Sequence, residues 1–266
     1  MTFTFKGISP EKMGLKIITA SGLQRAPCET EIISVPGRQE PLIRTKAELQ
    51  TTEMTVQLLV TVPKRIREIF SWLSGSGKLI FSDEPDKYYN VLSNDVISLE
   101  RIGEEIQSFE VKFICEPFAY SIYNPLEEFP LMKLDDSRLS RQMSVYVNGT
   151  ADCDPLIYLK FSGVLNVTVN EDTITVKTPF TYALENGRYI YTYECQEIYL
   201  DSSIKAAYMY NENDEMTIIT CQTSGHFPIF QHEDNIITVE LAADREDVTS
   251  NHRFELLKIQ KNERWY

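Results

Sequence analysis

Apolar residues recur at every second position in many short runs of this chain, and that spacing constrains its fold more than any other feature. In the first half Val56, Leu58, Val60 and Val62 alternate with Thr55, Gln57 and Thr61. Phe109, Val111, Phe113 and Cys115 likewise alternate with Glu110 and Lys112. The second half repeats the pattern with Ile157, Leu159 and Phe161, with Leu165, Val167 and Val169, with Tyr189, Tyr191, Tyr193 and Cys195, and with Ile237, Val239 and Leu241. Successive side chains of a strand point to opposite faces, so each set predicts a half-buried strand with one apolar face. Asn148-Gly149 and Asn186-Gly187 read as tight hairpin turns that supply positive backbone angles. Short strands at such regular spacing predict a mainly β chain of sandwich-like domains.

One segment breaks the period. Ile66, Ile69, Phe70 and Leu73 stand at i, i+3, i+4 and i+7, with Pro63 at the entry and Gly75 just past the end, which predicts a short amphipathic helix over about residues 63–74. Such a helix packs on its own sheet or covers a partner's. A length of 266 residues favours two domains. Between Tyr123 and Arg141 two prolines and two acidic pairs replace the alternation, so the reading is a domain at 1–125, a junction strap at 126–142 and a second domain at 143–266. Phe129, Leu131 and Met132 suggest that the strap lies on one of the domains.

Charge separates the two halves. Residues 1–125 carry 14 basic and 16 acidic side chains, a net of −2, and residues 126–266 carry 12 and 23, a net of −11. A near-neutral domain can pack against its own copies, whereas an acidic one stays solvated and keeps neighbours at a distance. The overall −13 argues against a protein that holds nucleic acid or an anionic membrane. No apolar run approaches the roughly 20 residues of a membrane span, and the opening residues lack a signal peptide's pattern, so a cytosolic chain is expected. The five cysteines include no CxxC pair and read as small core residues, three of them at inward strand positions.

Chemistry is sparse. His226, His232 and His252 show no zinc-ligand spacing, and Cys221 with His226 is a poor pair. Ser224-Gly225-His226 offers adjacency without a nucleophile elbow. The acidic groups Asp83-Glu84-Pro85-Asp86, Glu127-Glu128 and Asp135-Asp136 fall in turns or the junction, where carboxylates are well solvated. Gly75-Ser76-Gly77 precedes a strand and opens no phosphate-binding helix. No catalytic residue, cofactor or metal is expected, and the chain reads as a non-enzymatic protein that works through faces and edges.

Specific residues then suggest a family. Phe5-Lys6-Gly7-Ile8-Ser9, Met13-Gly14-Leu15 and Ile33-Ser34-Val35-Pro36-Gly37-Arg38 open the chain. Gly77-Lys78-Leu79, the run Asp83 to Tyr89, and Phe113-Ile114-Cys115-Glu116-Pro117-Phe118-Ala119-Tyr120 follow. Ile198-Tyr199-Leu200-Asp201-Ser202, Gly225-His226-Phe227-Pro228, Asp234-Asn235-Ile236-Ile237 and Arg264-Trp265-Tyr266 complete the set. In order and spacing these motifs resemble the distal tail proteins of bacteriophages with long non-contractile tails and of related prophages. The chain departs from that pattern at His232-Glu233-Asp234-Asn235, where the family often has glycine before the asparagine, which puts the local turn in doubt.

The resemblance implies a structural protein of the virion tail tip, made in the bacterial cytoplasm. Its N-terminal domains would form a hexameric ring joining the tail tube protein to the tail-associated fibre or spike protein, around a channel through which DNA passes unheld. Its C-terminal domain would be a galectin-like sandwich, which in some phages carries receptor-binding or baseplate proteins. No cofactor and no membrane belong to this picture. Within it, Pro27 to Arg44 is a candidate inter-subunit arm: Ile32, Ile33 and Val35 precede the turn signal Pro36-Gly37-Arg38, and Leu42 and Ile43 follow. A hairpin folded on its own domain fits those residues equally well. A carbohydrate-binding adhesion module is the alternative function, although Trp72 and Trp265 are the only tryptophans available for a stacking platform.

Overall fold

The computed structural model describes residues 2–22, 24–95, 97–102, 106–129, 140–185, 188–211, 213–241 and 253–266. Two compact units emerge, Met1–Tyr123 with Trp265–Tyr266, and Asn124–Arg264. No helix of the described residues is long and apolar enough to cross a membrane.

The first unit contains β1 (Phe3–Phe5), β2 (Leu15–Ala20), β3 (Cys28–Ile33), β4 (Leu42–Leu49), β5 (Thr52–Val60), β6 (Gly75–Phe81), β7 (Lys87–Ser93), β8 (Glu100–Ile102) and β9 (Ile106–Ser121). Helix α1 (Ile66–Leu73) joins β5 to β6. The main sheet runs β1-β6-β7-β9-β5-β2, with β8 added on β9. Both alternating sets of the first half land inward: Val56, Leu58 and Val60 on β5 and Phe109, Val111, Phe113 and Cys115 on β9 are all nearly inaccessible. Val62 is the exception at 39% exposed, because β5 ends at Val60 and the chain turns toward the helix.

The helix packs on its own sheet. Ile69, Trp72 and Leu73 are buried, the Phe70 ring meets Phe109 edge-on at 5.9 Å, and Trp72 Nε1 donates to the Phe5 carbonyl at 3.0 Å. The sheet itself is curled. Phe5 and Phe113 have ring centroids 5.2 Å apart although β6 and β7 separate their strands, a span of roughly 14 Å in a flat sheet at about 4.8 Å per strand. Trp265 packs on this first core, with Lys87 Nζ 5.1 Å above its ring.

The second unit holds β10 (Glu127–Phe129), β11 (Ser140–Val147), β12 (Leu156–Ser162), β13 (Val164–Val169), β14 (Asp172–Lys177), β15 (Phe180–Glu185), β16 (Arg188–Tyr193), β17 (Gln196–Asp201), β18 (Ala206–Tyr210), β19 (Met216–Ile218), β20 (Thr223–Gly225), β21 (Glu233–Leu241) and β22 (Arg253–Gln260). It is a sandwich of a six-stranded sheet, β10-β22-β12-β17-β18-β19, and a five-stranded sheet, β11-β21-β13-β14-β20. Ile157, Leu159 and Phe161 of one sheet and Leu165, Val167, Val169, Ile237, Val239 and Leu241 of the other share one core. Phe129 packs against that core too; Leu131 and Met132 of the strap lie outside the described residues, as does the Asn186-Gly187 turn.

Asn148-Gly149 makes no hairpin. β11 pairs with β21, and Gly149 is absent from the glycines with positive φ. The missing side chain serves a close approach instead. A Cβ at Gly149 would sit 2.5 Å from the Arg264 carbonyl oxygen, which accepts hydrogen bonds from Thr150 and Ala151 at 3.1 and 3.2 Å. A dipeptide code reads only its neighbours, and here the partner is more than a hundred residues away.

At the late motif, Glu233 takes φ 74, the left-handed region where glycine is at ease. Replacing Glu233 with glycine relieves about 1 kcal/mol of backbone strain, against roughly 0.5 kcal/mol of added chain entropy. A net gain of about 0.5 kcal/mol in the second unit's denaturation midpoint is therefore expected, and a loss would contradict it.

Cys115 and Cys153 are core residues, but Cys28 is half-buried and Cys195 and Cys221 are exposed. The inward register of β16 ends at the buried Tyr193, so Cys195 falls in the link to β17. Burial pushes the thiols of Cys115 and Cys153 up to about 12, which keeps them protonated at pH 8. Mass-spectrometric alkylation of the native protein at that pH should label Cys195 and Cys221 and reach Cys115 and Cys153 only after unfolding.

Candidate functional site

The eight candidate arm residues fall in one hairpin. β3 and β4 form a two-stranded sheet of their own, with Ile32 opposite Ile43, Ile33 opposite Leu42 and Glu31 opposite Arg44. β-branched side chains favour the extended chain on both strands. Within the connection, Arg38 N donates to the Val35 carbonyl at 3.1 Å and Gly37 takes φ 85, the geometry of a type II turn with Pro36 at its first corner. Buried Ala26 and a hydrogen bond from Gln50 N to the Pro27 carbonyl, 2.9 Å long, fix the root.

What the hairpin lacks is cover. Ile32 is 69% and Ile43 68% exposed on one face, Ile33 37% and Leu42 42% on the other, and every residue from Glu29 to Arg44 is exposed. A lone two-stranded ribbon is marginal in water and needs a third strand or a packed face. Burying an Ile or Leu side chain contributes about 1.5–3 kcal/mol, so covering these four offers several kcal/mol.

A second feature escaped the sequence. A cleft of about 260 Å³ is lined by Gln57, Asp95, Ser98, Glu100, Ser108, Phe109, Glu110 and Lys112. Glu100 on β8 stands directly opposite Ser108 on β9, and Glu110 opposite Gln57 on β5. Ser108 is fully buried, and its hydroxyl has no hydrogen-bond partner among the described residues. The lining comes from separated segments, and its one local signal is the polar side of β9, Ser108-x-Glu110-x-Lys112.

In the second unit, β15 and β16 form another isolated ribbon, on which Tyr182 is 67% and Leu184 64% exposed. Tyr182 faces outward whereas Tyr193 is buried, and the side chains of Tyr189 and Tyr191 lie outside the described residues. On the outer face of the six-stranded sheet, Tyr158, Tyr199, Tyr208 and Tyr210 pack on one another, the Tyr199 and Tyr208 rings stacking at 5.3 Å.

The remaining candidates are spread through ordinary strands and turns. Lys87 Nζ sits 3.1 Å from Glu84 and 3.5 Å from Asp86, so the acidic turn between β6 and β7 carries its own counter-charge. Ser224 and Gly225 belong to the β14–β20 ladder, and His226 N donates to the Thr173 carbonyl at 3.1 Å. Among the described residues no three His, Cys, Asp or Glu side chains gather as a metal site; His252 lies outside them.

Comparison with known proteins adds two findings. Residues 51–115, from the start of β5 into β9, match the family described as the phage tail protein RIFT-related domain. No curated protein matches the chain. Among solved structures the chain is similar to SPP1 Dit, described as a paradigm of the hub adsorption apparatus in phages that infect Gram-positive bacteria. The two are 13% identical, with a TM-score of 0.57 over 90% of this chain and 98% of that one. By sequence across residues 51–115 the chain is similar to the phage tail protein RIFT-related domain, and over most of its length its fold is similar to that of SPP1 Dit.

Proposed function

We propose that this protein is a structural part of a phage tail tip that acts by self-association, its first unit closing a hexameric ring with its own copies. The ring joins the tail tube to the tail-associated fibre or spike protein and leaves a channel for DNA. The observation that carries this reading is the uncovered β3–β4 ribbon, which gains its missing face or third strand from a neighbouring subunit. The net charge of −2 over residues 1–125 supports close packing of copies. The acidic second unit, a sandwich read as galectin-like, stands at the periphery, where receptor-binding or baseplate proteins attach. A sandwich of that kind does not imply sugar binding. The tyrosines of its outer sheet face stack on each other, and nearly buried Tyr158 and Tyr208 offer a sugar little open ring surface.

Deleting residues 30–42 tests the arm. Light scattering of the deletion variant should show the ring lost while far-UV circular dichroism stays β-type. The milder pair Ile32→Glu with Ile43→Lys replaces the apolar face by a cross-strand ion pair, keeps the ribbon, and should weaken assembly in the same direction. A ring that persists in both variants refutes the arm.

A further inference from the structure

We propose that the cleft between β5, β8 and β9 is the socket for Arg38 at the tip of a second copy's β3–β4 arm. The proposal rests on the arm reading above and names the residues on both sides of that contact.

The cleft selects for a cation. Asp95, Glu100 and Glu110 face it against Lys112 alone, three negative charges to one positive, a net of −2. None of these four makes an ion pair within the described residues. Ser108, one of the lining residues, carries a buried hydroxyl with no hydrogen-bond partner among the described residues, an unfavourable state that a donor brought to the cleft could relieve with a small side-chain adjustment. The carboxylates are too dispersed to gather round a metal ion. A guanidinium fits that spread better, because its five N–H donors reach several separate acceptors from one rigid plane.

The arm carries a matching group. Arg38 closes the type II turn at the tip, is exposed, and makes no ion pair among the described residues. From the Cys28–Leu49 pair to the Ile33–Leu42 pair β3 takes five steps, about 17 Å at strand rise. Every residue from Glu29 to Arg44 is exposed, so the tip is free to meet another copy. A buried arginine held by carboxylates at the centre of an apolar contact is the usual anatomy of an interface hot spot. Ile32 and Ile43 would supply the apolar surround.

The test is a charge swap in the full chain, read as the concentration at which half the protein is assembled. Arg38→Glu and Glu110→Arg should each raise that concentration at least about tenfold, and the double swap should restore it to within about threefold of the parent. Glu100→Arg serves as a second socket variant should Glu110→Arg misfold. Arg67→Glu, on the exposed side of α1, changes net charge equally and should leave assembly unchanged. Socket variants that assemble normally, or a double swap no better than its singles, overturn the socket. In that event a ring still dissolved by deleting residues 30–42 means the arm docks elsewhere; a ring that survives the deletion removes the arm reading as well.

Discussion

Replacing Asn235 with alanine should destabilise the second unit by about 3 kcal/mol, among the largest effects of any polar substitution in this protein. Asn235 is fully buried on β21, and each half of its amide is used twice. Its oxygen accepts from Gln231 N at 2.8 Å and from Asn170 Nδ2 at 2.9 Å. Its nitrogen donates to the carbonyls of Gln231 at 2.8 Å and Glu233 at 3.2 Å. Asn170 in turn accepts from Ile236 N at 2.9 Å, so the two asparagines tie the β13–β14 turn to the start of β21. Alanine leaves three backbone groups, the Gln231 N–H and the carbonyls of Gln231 and Glu233, and the Asn170 amide without their partner at a buried position, and an unmatched buried group is more unfavourable than its hydrogen bond is stabilising. A drop in denaturation midpoint worth less than about 1 kcal/mol would contradict this account.

Phe113→Ala should cost the first unit about 4 kcal/mol. Phe113 lies at the point where the curled sheet closes on itself, with the Phe5 ring at 5.2 Å and the Phe3 ring at 5.9 Å, and it is wholly inaccessible. Removing it opens a cavity among rigid aromatic neighbours that have little freedom to collapse. Because the two units have separate cores, only one of two unfolding transitions should move. Assembly should be lost with the first unit's fold, since the ring is proposed to form there. A single transition shifted as a whole would show that the units unfold together.

The strands were legible because their register is written in the sequence itself. Phe109 to Cys115 and Ile237 to Leu241 alternate by chemistry, and a sheet with one wet face leaves them no other arrangement. The helix was legible for the same reason at its own period, and the β3–β4 hairpin because Pro36-Gly37 is a turn code flanked by β-branched residues. Tertiary partners were not legible. Gly149 reads as a hairpin turn and is a clearance for Arg264; Cys195 continues an alternating pattern past the end of its strand. The cleft could not be read at all, since Asp95, Glu100 and Glu110 look like solvated charges until β5, β8 and β9 bring them around Ser108. Glu233 lies between these cases: the motif put the local turn at His232-Glu233-Asp234-Asn235 in doubt without marking a position, and the positive φ of 74 falls on Glu233.

On the proposed reading, further copies of the chain cover the exposed ribbon and enter the acidic cleft. Multi-angle light scattering of the pure full-length chain across concentration, with negative-stain images of the largest species, measures this directly. The account predicts a closed ring of six times the 30.7 kDa chain mass with an open centre. A particle that stays at 30.7 kDa at every concentration would contradict it.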